Sequence, residues 1–173
     1  MWLAANNKVD LSTQKEHIFH DLILECKHAA PGSRLSYSLR TRLDKFSMKE
    51  KREIACRTEK GCAPLFIACK RGHVEIVDYL INNCDVDIEQ HGLYEVLDDR
   101  SVHNVTPLWC AAVSGNLAVI QSLVSHGADI NAVSDTGSTP VRSACFMTHY
   151  EIVSFLVENG ADILKPNYNG GTC

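Results

Sequence analysis

The stretch from Ser125 to Leu164 says nearly the same thing twice. Gly127-Ala128-Asp129-Ile130 returns 33 residues later as Gly160-Ala161-Asp162-Ile163. A fixed period of this length is the mark of a repeat array, and it constrains the fold more tightly than composition does. Three segments share the pattern: "APLFIACKRGHVEIVDYLINN" from Ala63, "TPLWCAAVSGNLAVIQSLVSHGADIN" from Thr106 and "TPVRSACFMTHYEIVSFLVENGADIL" from Thr139. Pro107 and Pro140 are again 33 apart, whereas Pro64 and Pro107 are separated by 43, one period plus ten residues.

Each unit reads as a pair of helices. Thr106 and Thr139 carry a side-chain oxygen suited to a helix N-cap, and a proline at the first helical position loses no donor that the helix needs. First helices are expected at about 65–71, 108–114 and 141–147, with Gly72 and Gly115 turning the chain through the left-handed region behind them. Second helices follow from the apolar spacing of Val74, Val77, Leu80 and Ile81, of Val119, Ile120, Leu123 and Val124, and of Ile152, Val153, Leu156 and Val157. Gly127 and Gly160 end two of them. In the first unit Cys84 stands in that place, and Asn83 is expected to supply the left-handed residue instead. In the third unit Thr148 replaces the turn glycine. No such pair buries its apolar face alone, so stacking is the fold: an all-α solenoid in which Val77, Leu80, Ile120, Leu123, Val153 and Leu156 are buried.

The expected division is 1–57 as a degenerate N-terminal capping repeat, 58–90 as a repeat, 91–104 as an inter-repeat insertion, 105–137 and 138–170 as repeats, and 171–173 as the start of another. Thr172 stands where the next Thr-Pro would begin, which predicts a chain cut open within a further unit and marginal by itself. In the first 57 residues, "KEHIFHDLILECKHA" and the Leu35, Leu39, Leu43 series predict two helices separated by Pro31-Gly32. Arg34, Arg40, Arg42, Lys45, Lys49, Lys51 and Arg52 make this part basic. Without interleaved aromatics for base stacking, they read as a solvated face and not as a nucleic-acid site.

The net charge of −4 gives no global attraction to nucleic acid or to an acidic membrane. No apolar run reaches the length of a membrane span or of a signal-peptide core. The eight cysteines form no Cys-x-x-Cys pair, and Cys69, Cys110 and Cys145 lie in apolar stretches, so they read as reduced thiols packed as small hydrophobes. These features predict a cytoplasmic, or nuclear, protein with no cofactor and no metal. His17 and His20 are one helical turn apart, but two ligands without a third do not make a metal site. Cys145 and His149 look like a nucleophile and a base, yet their places in the repeat already account for both. Asn104-Val105-Thr106 matches a glycosylation sequon whose threonine is already the cap. The acidic cluster Glu89, Glu95, Asp98 and Asp99 falls in the insertion, where a binding loop is the better reading than a catalytic pair. The chain is therefore expected to be no enzyme but a module that binds a protein on its concave face.

The Thr-Pro-Leu helix–turn–helix with this period resembles the ankyrin repeat. "TPLWCAAVSGNLAVIQSLVSHGADIN", "STPVRSACF" with Arg142, Cys145 and Phe146, "IVSFLVENGADI" and the ten-residue insertion before Thr106-Pro107-Leu108-Trp109 resemble the Fem-1 family over about residues 58–173. That resemblance implies a substrate receptor of a cullin–elongin ubiquitin ligase, whose ankyrin groove binds the C-terminal tail of a target, often ending in arginine. The family's insertion carries an aromatic–acidic pair; counted back from Trp109, Leu97 and Asp98 fall there. Ser138 matches the family's serine before Thr-Pro, and Met147 stands where a second arginine-binding aspartate is expected. Leu97, Asp98, Trp109, Ser138 and Met147 are thus the candidate peptide contacts. Asp98 would meet a cation, Trp109 would offer apolar area or a cation–π face, and Ser138 would hydrogen-bond the peptide end. With Met147 in place of a carboxylate, the implied pocket is more apolar than in arginine-reading relatives. The family's ligase-binding box is not within these residues, so the ligase is expected as partner only of a full-length relative. A generic ankyrin scaffold for an unrelated protein is the alternative.

Overall fold

A computed structural model describes residues 10–30, 32–95 and 101–173. Helices dominate it: α1 (Leu11–His28), α2 (Tyr37–Leu43), α3 (Met48–Ala55), α4 (Pro64–Arg71), α5 (Val74–Cys84), α6 (Pro107–Val113), α7 (Leu117–Ser125), α8 (Pro140–Phe146) and α9 (Tyr150–Glu158). Between α5 and α6 stands one antiparallel hairpin, β1 (Gly92–Glu95) with β2 (Val102–Val105), in which Gly92 pairs with Val105 and Glu95 with Val102. The expectation of an all-helical chain is corrected to this extent, and the strands fall in the inserted residues.

The helices stack in two rows. α1, α4, α6 and α8 pack in succession as one row, and α3, α5, α7 and α9 as the other. One apolar core runs through the stack from Ile18 and Leu22 to Ile152 and Leu156. The local signals for the helix pairs lie where the chain uses them. Thr106 Oγ1 accepts from the Trp109 amide at 3.2 Å, and Thr139 Oγ1 from the Arg142 amide at 3.3 Å, caps worth about 1 kcal/mol each. Gly72 and Gly115 take φ of 75° and 76°. Thr148 holds the equivalent place in the third pair with φ of 58°, a conformation that crowds a β-branched side chain.

Other readings are corrected. α5 runs through Cys84, which is fully buried, and Asp85 rather than Asn83 takes the left-handed conformation, φ 49°. Asn83 cannot, because it is still inside the helix. Val77, Leu80, Ile120, Leu123 and Leu156 are buried as expected, but Val153 is only half-buried and Val157 is 42% exposed. Among the described residues no helix packs on the far side of α9, so its outer stripe keeps its solvent.

The first 57 residues hold a third helix that the leucine spacing does not announce. Its signal is a different one: Ser47 and Glu50 form a capping box, in which the Ser47 amide and hydroxyl both donate to Glu50 Oε2, at 3.0 and 2.7 Å. These hydrogen bonds from Ser47 hold the Glu50 carboxyl below the usual carboxylate range. Pro31 lies outside the described residues. The basic residues here are largely spent within the fold. Arg42 pairs with Asp21, Lys51 with Asp44, Arg52 with Asp85 and Arg34 with Glu75, and Arg40 lies 5.1 Å over the Tyr79 ring.

Candidate functional site: a cleft beneath the hairpin

The inserted hairpin is seated on the row of first helices by close packing. Gly92 lies against the Phe66 ring of α4, where a Cβ would come within 2.5 Å, so only glycine lets the strand begin there. Val105, Phe66, Trp109 and Cys110 form a small apolar cluster under it. Tyr94 meets Trp109 edge to face, with centroids 5.5 Å apart, and the Lys70 ammonium sits 4.3 Å from the Tyr94 ring. The Cys62 thiol donates to the Leu93 carbonyl at 3.3 Å. At the other edge, the Asn104 amide donates to Asp135 Oδ2 at 2.9 Å and the Asn104 carbonyl accepts from the Asp135 amide at 3.1 Å.

A cleft of about 490 Å3 opens between the hairpin, α6 and α8. Trp109, Ser138 and Met147, three of the five candidate contacts, line it together. Leu97 and Asp98 lie outside the described residues, as does Asp99. Trp109 is both core and site. It is 8% exposed, one face packs in the apolar cluster, and its indole N–H finds no hydrogen-bond acceptor. A buried donor without an acceptor costs on the order of 1–3 kcal/mol, so the site holds a hydrogen bond in reserve. Ser138 closes a tight turn, its amide donating to Ser134 Oγ at 3.1 Å and its carbonyl accepting from the Ser134 amide at 2.9 Å. Met147 ends α8 and is 42% exposed.

The cleft also contains residues that reading the sequence missed: Tyr94, Glu95, His103, Arg142 and Phe146. Arg142 forms no ion pair among the described residues, and its Nη1 donates to the Thr172 carbonyl at 2.7 Å. Tyr94-Glu95 is an aromatic–acidic pair visible in the sequence three residues before Leu97-Asp98. Counting back from Trp109 through a loop of unknown length passed over it. His103 lies 3.4 Å from Asp135, across the rim.

The remaining candidate groups are structural. Glu89 does not join Glu95: its Oε1 accepts from the Asp129 amide at 2.8 Å, tying two neighbouring loops, and burial raises its pKa. The acidic cluster is therefore divided between a tether and the cleft. His149 bonds the Val113 carbonyl at 3.2 Å through Nε2, which explains it without catalysis. Asn116 reaches the Cys69 carbonyl at 3.1 Å from the matching position. Thr106 of the sequon is 1% exposed. Cys26, Cys69, Cys84 and Cys110 are buried, and burial raises the pKa of each thiol, in Cys84 and Cys110 to about 12. No group of three or more metal-ligating side chains occurs among the described residues.

A sequence profile of ankyrin repeats in three copies matches residues 40–134 and 91–167. The chain belongs to the ankyrin-repeat family. Its repeats are of the Fem-1 kind. Protein fem-1 homolog A of Rattus norvegicus is 40% identical over 126 residues, 72% of this chain and 19% of the relative. The sex-determining protein fem-1 of Caenorhabditis elegans is 37% identical over 116 residues, 66% of this chain and 17% of the relative. NF-kappa-B inhibitor alpha of Gallus gallus is 34% identical over 119 residues, 68% of this chain and 36% of the relative. The chain thus spans a fifth or less of the length of the Fem-1 relatives. An ankyrin array is a protein-interaction fold, and no helix among the described residues is long and apolar enough to cross a membrane.

Proposed function

We propose that this ankyrin array binds the C-terminal tail of a protein partner in the cleft beneath the hairpin. In that reading the array is the substrate-reading part of a cullin–elongin ligase receptor, with the ligase contacted by other parts of a full-length relative. It does no chemistry of its own and works in the cytoplasm or nucleus. The observation that carries the reading is the meeting in one cleft of an aromatic wall (Tyr94, Trp109), an unpaired cation (Arg142), a carboxylate (Glu95) and an apolar end (Phe146, Met147). A chain terminus is the one peptide feature that always brings a carboxylate. Arg142 would hold it by a charge-assisted hydrogen bond, with the Ser138 hydroxyl beside it. Glu95, with Asp98, would meet a cationic side chain lying against Tyr94 and Trp109. Leu97 would add apolar area. Met147, where a second carboxylate would complete an arginine pocket, favours a tail ending in an apolar residue over one ending in arginine.

Fluorescence polarisation with a C-terminal peptide library, each peptide as free acid and as amide, tests this. A lost charged hydrogen bond is worth about 1.5–3 kcal/mol, so amidation and Arg142→Ala should each weaken binding about ten- to a hundredfold. Met147→Asp should shift preference toward arginine-ended tails. Equal binding of acids and amides would sink the terminal-carboxylate reading and leave a protein-binding scaffold of another specificity. The similarity to an inhibitor of a transcription factor at comparable coverage keeps that second reading in view.

A further inference from the structure

Behind the cleft, the loop that follows α9 is pinned to the body of the array. The Tyr168 amide donates to the Thr136 carbonyl at 3.1 Å. The Asn167 amide donates to the Gly171 carbonyl at 2.9 Å, and the Gly171 amide returns to Asn167 Oδ1 at 2.8 Å. Gly171 passes so close to the Arg142 guanidinium that a Cβ would lie 2.7 Å from it. Arg142 Nη1 then holds the Thr172 carbonyl. These contacts deliver the next residue, Cys173, to α8. Its thiol hydrogen-bonds that of Cys145, one helical turn beyond Arg142. Of the other cysteines, Cys26, Cys69, Cys84 and Cys110 are buried, and the half-buried Cys62 gives its thiol to a backbone carbonyl. Cys145 and Cys173 are thus set apart as two neighbouring thiols, one half-buried and one exposed.

From this juxtaposition we infer that Cys145 and Cys173 form a reversible disulfide that clips the 167–173 loop to α8 under oxidising conditions, with a peroxide as the oxidant. The Cys145 thiolate, having lost its proton to solvent, attacks one oxygen of hydrogen peroxide. The O–O bond breaks, giving the Cys145 sulfenic acid and hydroxide, which takes up that proton as water. The Cys173 sulfur then attacks the sulfenic sulfur. The S–S bond forms, the sulfenic hydroxyl leaves with the Cys173 proton as a second water, and the two thiols have together lost two electrons to the peroxide. The thiols already lie within hydrogen-bonding reach, so only a local closure to an S–S separation of about 2.05 Å is needed. The bond fixes both ends of the Arg142–Thr172 contact, and with it one wall of the cleft. Because the linkage is read chemically, it stands or falls independently of what the cleft binds.

The test is limited peroxide treatment of the reduced 173-residue chain, followed by alkylation, intact mass and peptide mapping. The expected product is a monomer lighter by about 2 Da, the mass of two hydrogens. Its linked peptides should contain Cys145 and Cys173, and dithiothreitol should restore the starting mass. In Cys145→Ser the protection of Cys173 from alkylation should slow about tenfold or more, since the attacking thiol must come from another molecule. In Cys173→Ser, Cys145 should run on to sulfinic acid instead of stopping at a disulfide. Linkage of other cysteines, a disulfide-linked dimer as the main product, or unchanged kinetics in Cys145→Ser would each overturn the inference.

Discussion

The pairs α6–α7 and α8–α9 are written in nearly the same words, and they meet different surroundings. In the first, Val119, Ile120 and Leu123 are buried and Val124 packs on the core. In the second, Ile152 and Leu156 are buried, but Val153 is half-buried and Val157 exposed, with Phe146 and Tyr150 at 86% and 78% exposure beside them. The turn differs as well: Gly115 in one, Thr148 in the other, both with positive φ. The comparison separates two things that a repeat confuses. The pattern sets which face of a helix is apolar; the neighbour sets how much of that face leaves water.

The sharpest way to break this comparison is to cut matched side chains. Leu123→Ala should destabilise the array by about 3 kcal/mol, a fully buried leucine leaving a cavity, while Val157→Ala should stay within about 0.5 kcal/mol, as at other exposed sites. Urea denaturation of both variants decides it, and equal losses would mean that α9 is as enclosed as α7. Exchanging the turn residues comes next. Gly115→Thr should cost about 2 kcal/mol, because the left-handed backbone strains a β-branched residue. The added Cβ would also lie 3.0 Å from the His149 ring. Thr148→Gly should gain about 1 kcal/mol by relieving the same strain, read as a rise in melting temperature.

A smaller effect concerns the residue that opens each second helix. Asn116 and His149 bond carbonyls of the preceding pair, but both ring nitrogens of His73 are buried without a partner. Burial first, then the nearby Arg71 charge, lowers the His73 pKa from 6.5. The unfolded chain therefore binds the extra proton more readily than the folded one. Stability should be level above about pH 6.5 and should fall as the pH drops below it. Urea midpoints between pH 8 and 5, compared with His73→Asn, check this. An unchanged slope in the variant would clear His73 of the effect.

Much of the stack was legible because its signals are local. Thr106 and Thr139 cap where a hydroxyl before proline says they should, and the 3.6-residue spacing picks out Leu80, Ile120 and Leu156. Helix α3 was legible too, but in its capping box and not in its apolar spacing. What failed depends on contacts the sequence does not carry. Asp85 takes the turn because α5 runs one residue longer than its register suggests. Val153 is half-open because of what does not lie beside it. For the cleft, Trp109, Ser138 and Met147 were found through repeat position and family resemblance. Tyr94, Glu95 and Arg142 were not, since only the folding back of the hairpin over α6 and α8 brings them there.

The hairpin has a mechanical consequence. A stack of repeats in which each touches only its neighbours can come apart one unit at a time, like a column of coins. This one is stitched. The hairpin holds Phe66 and Lys70 of one pair, Trp109 of the next, and the backbone of Asp135 in the turn leading to the third. Pulled or warmed, the middle of the array should therefore yield as a single block, with fraying confined to its ends. The partner-binding cleft lies within the part of the chain that opens last.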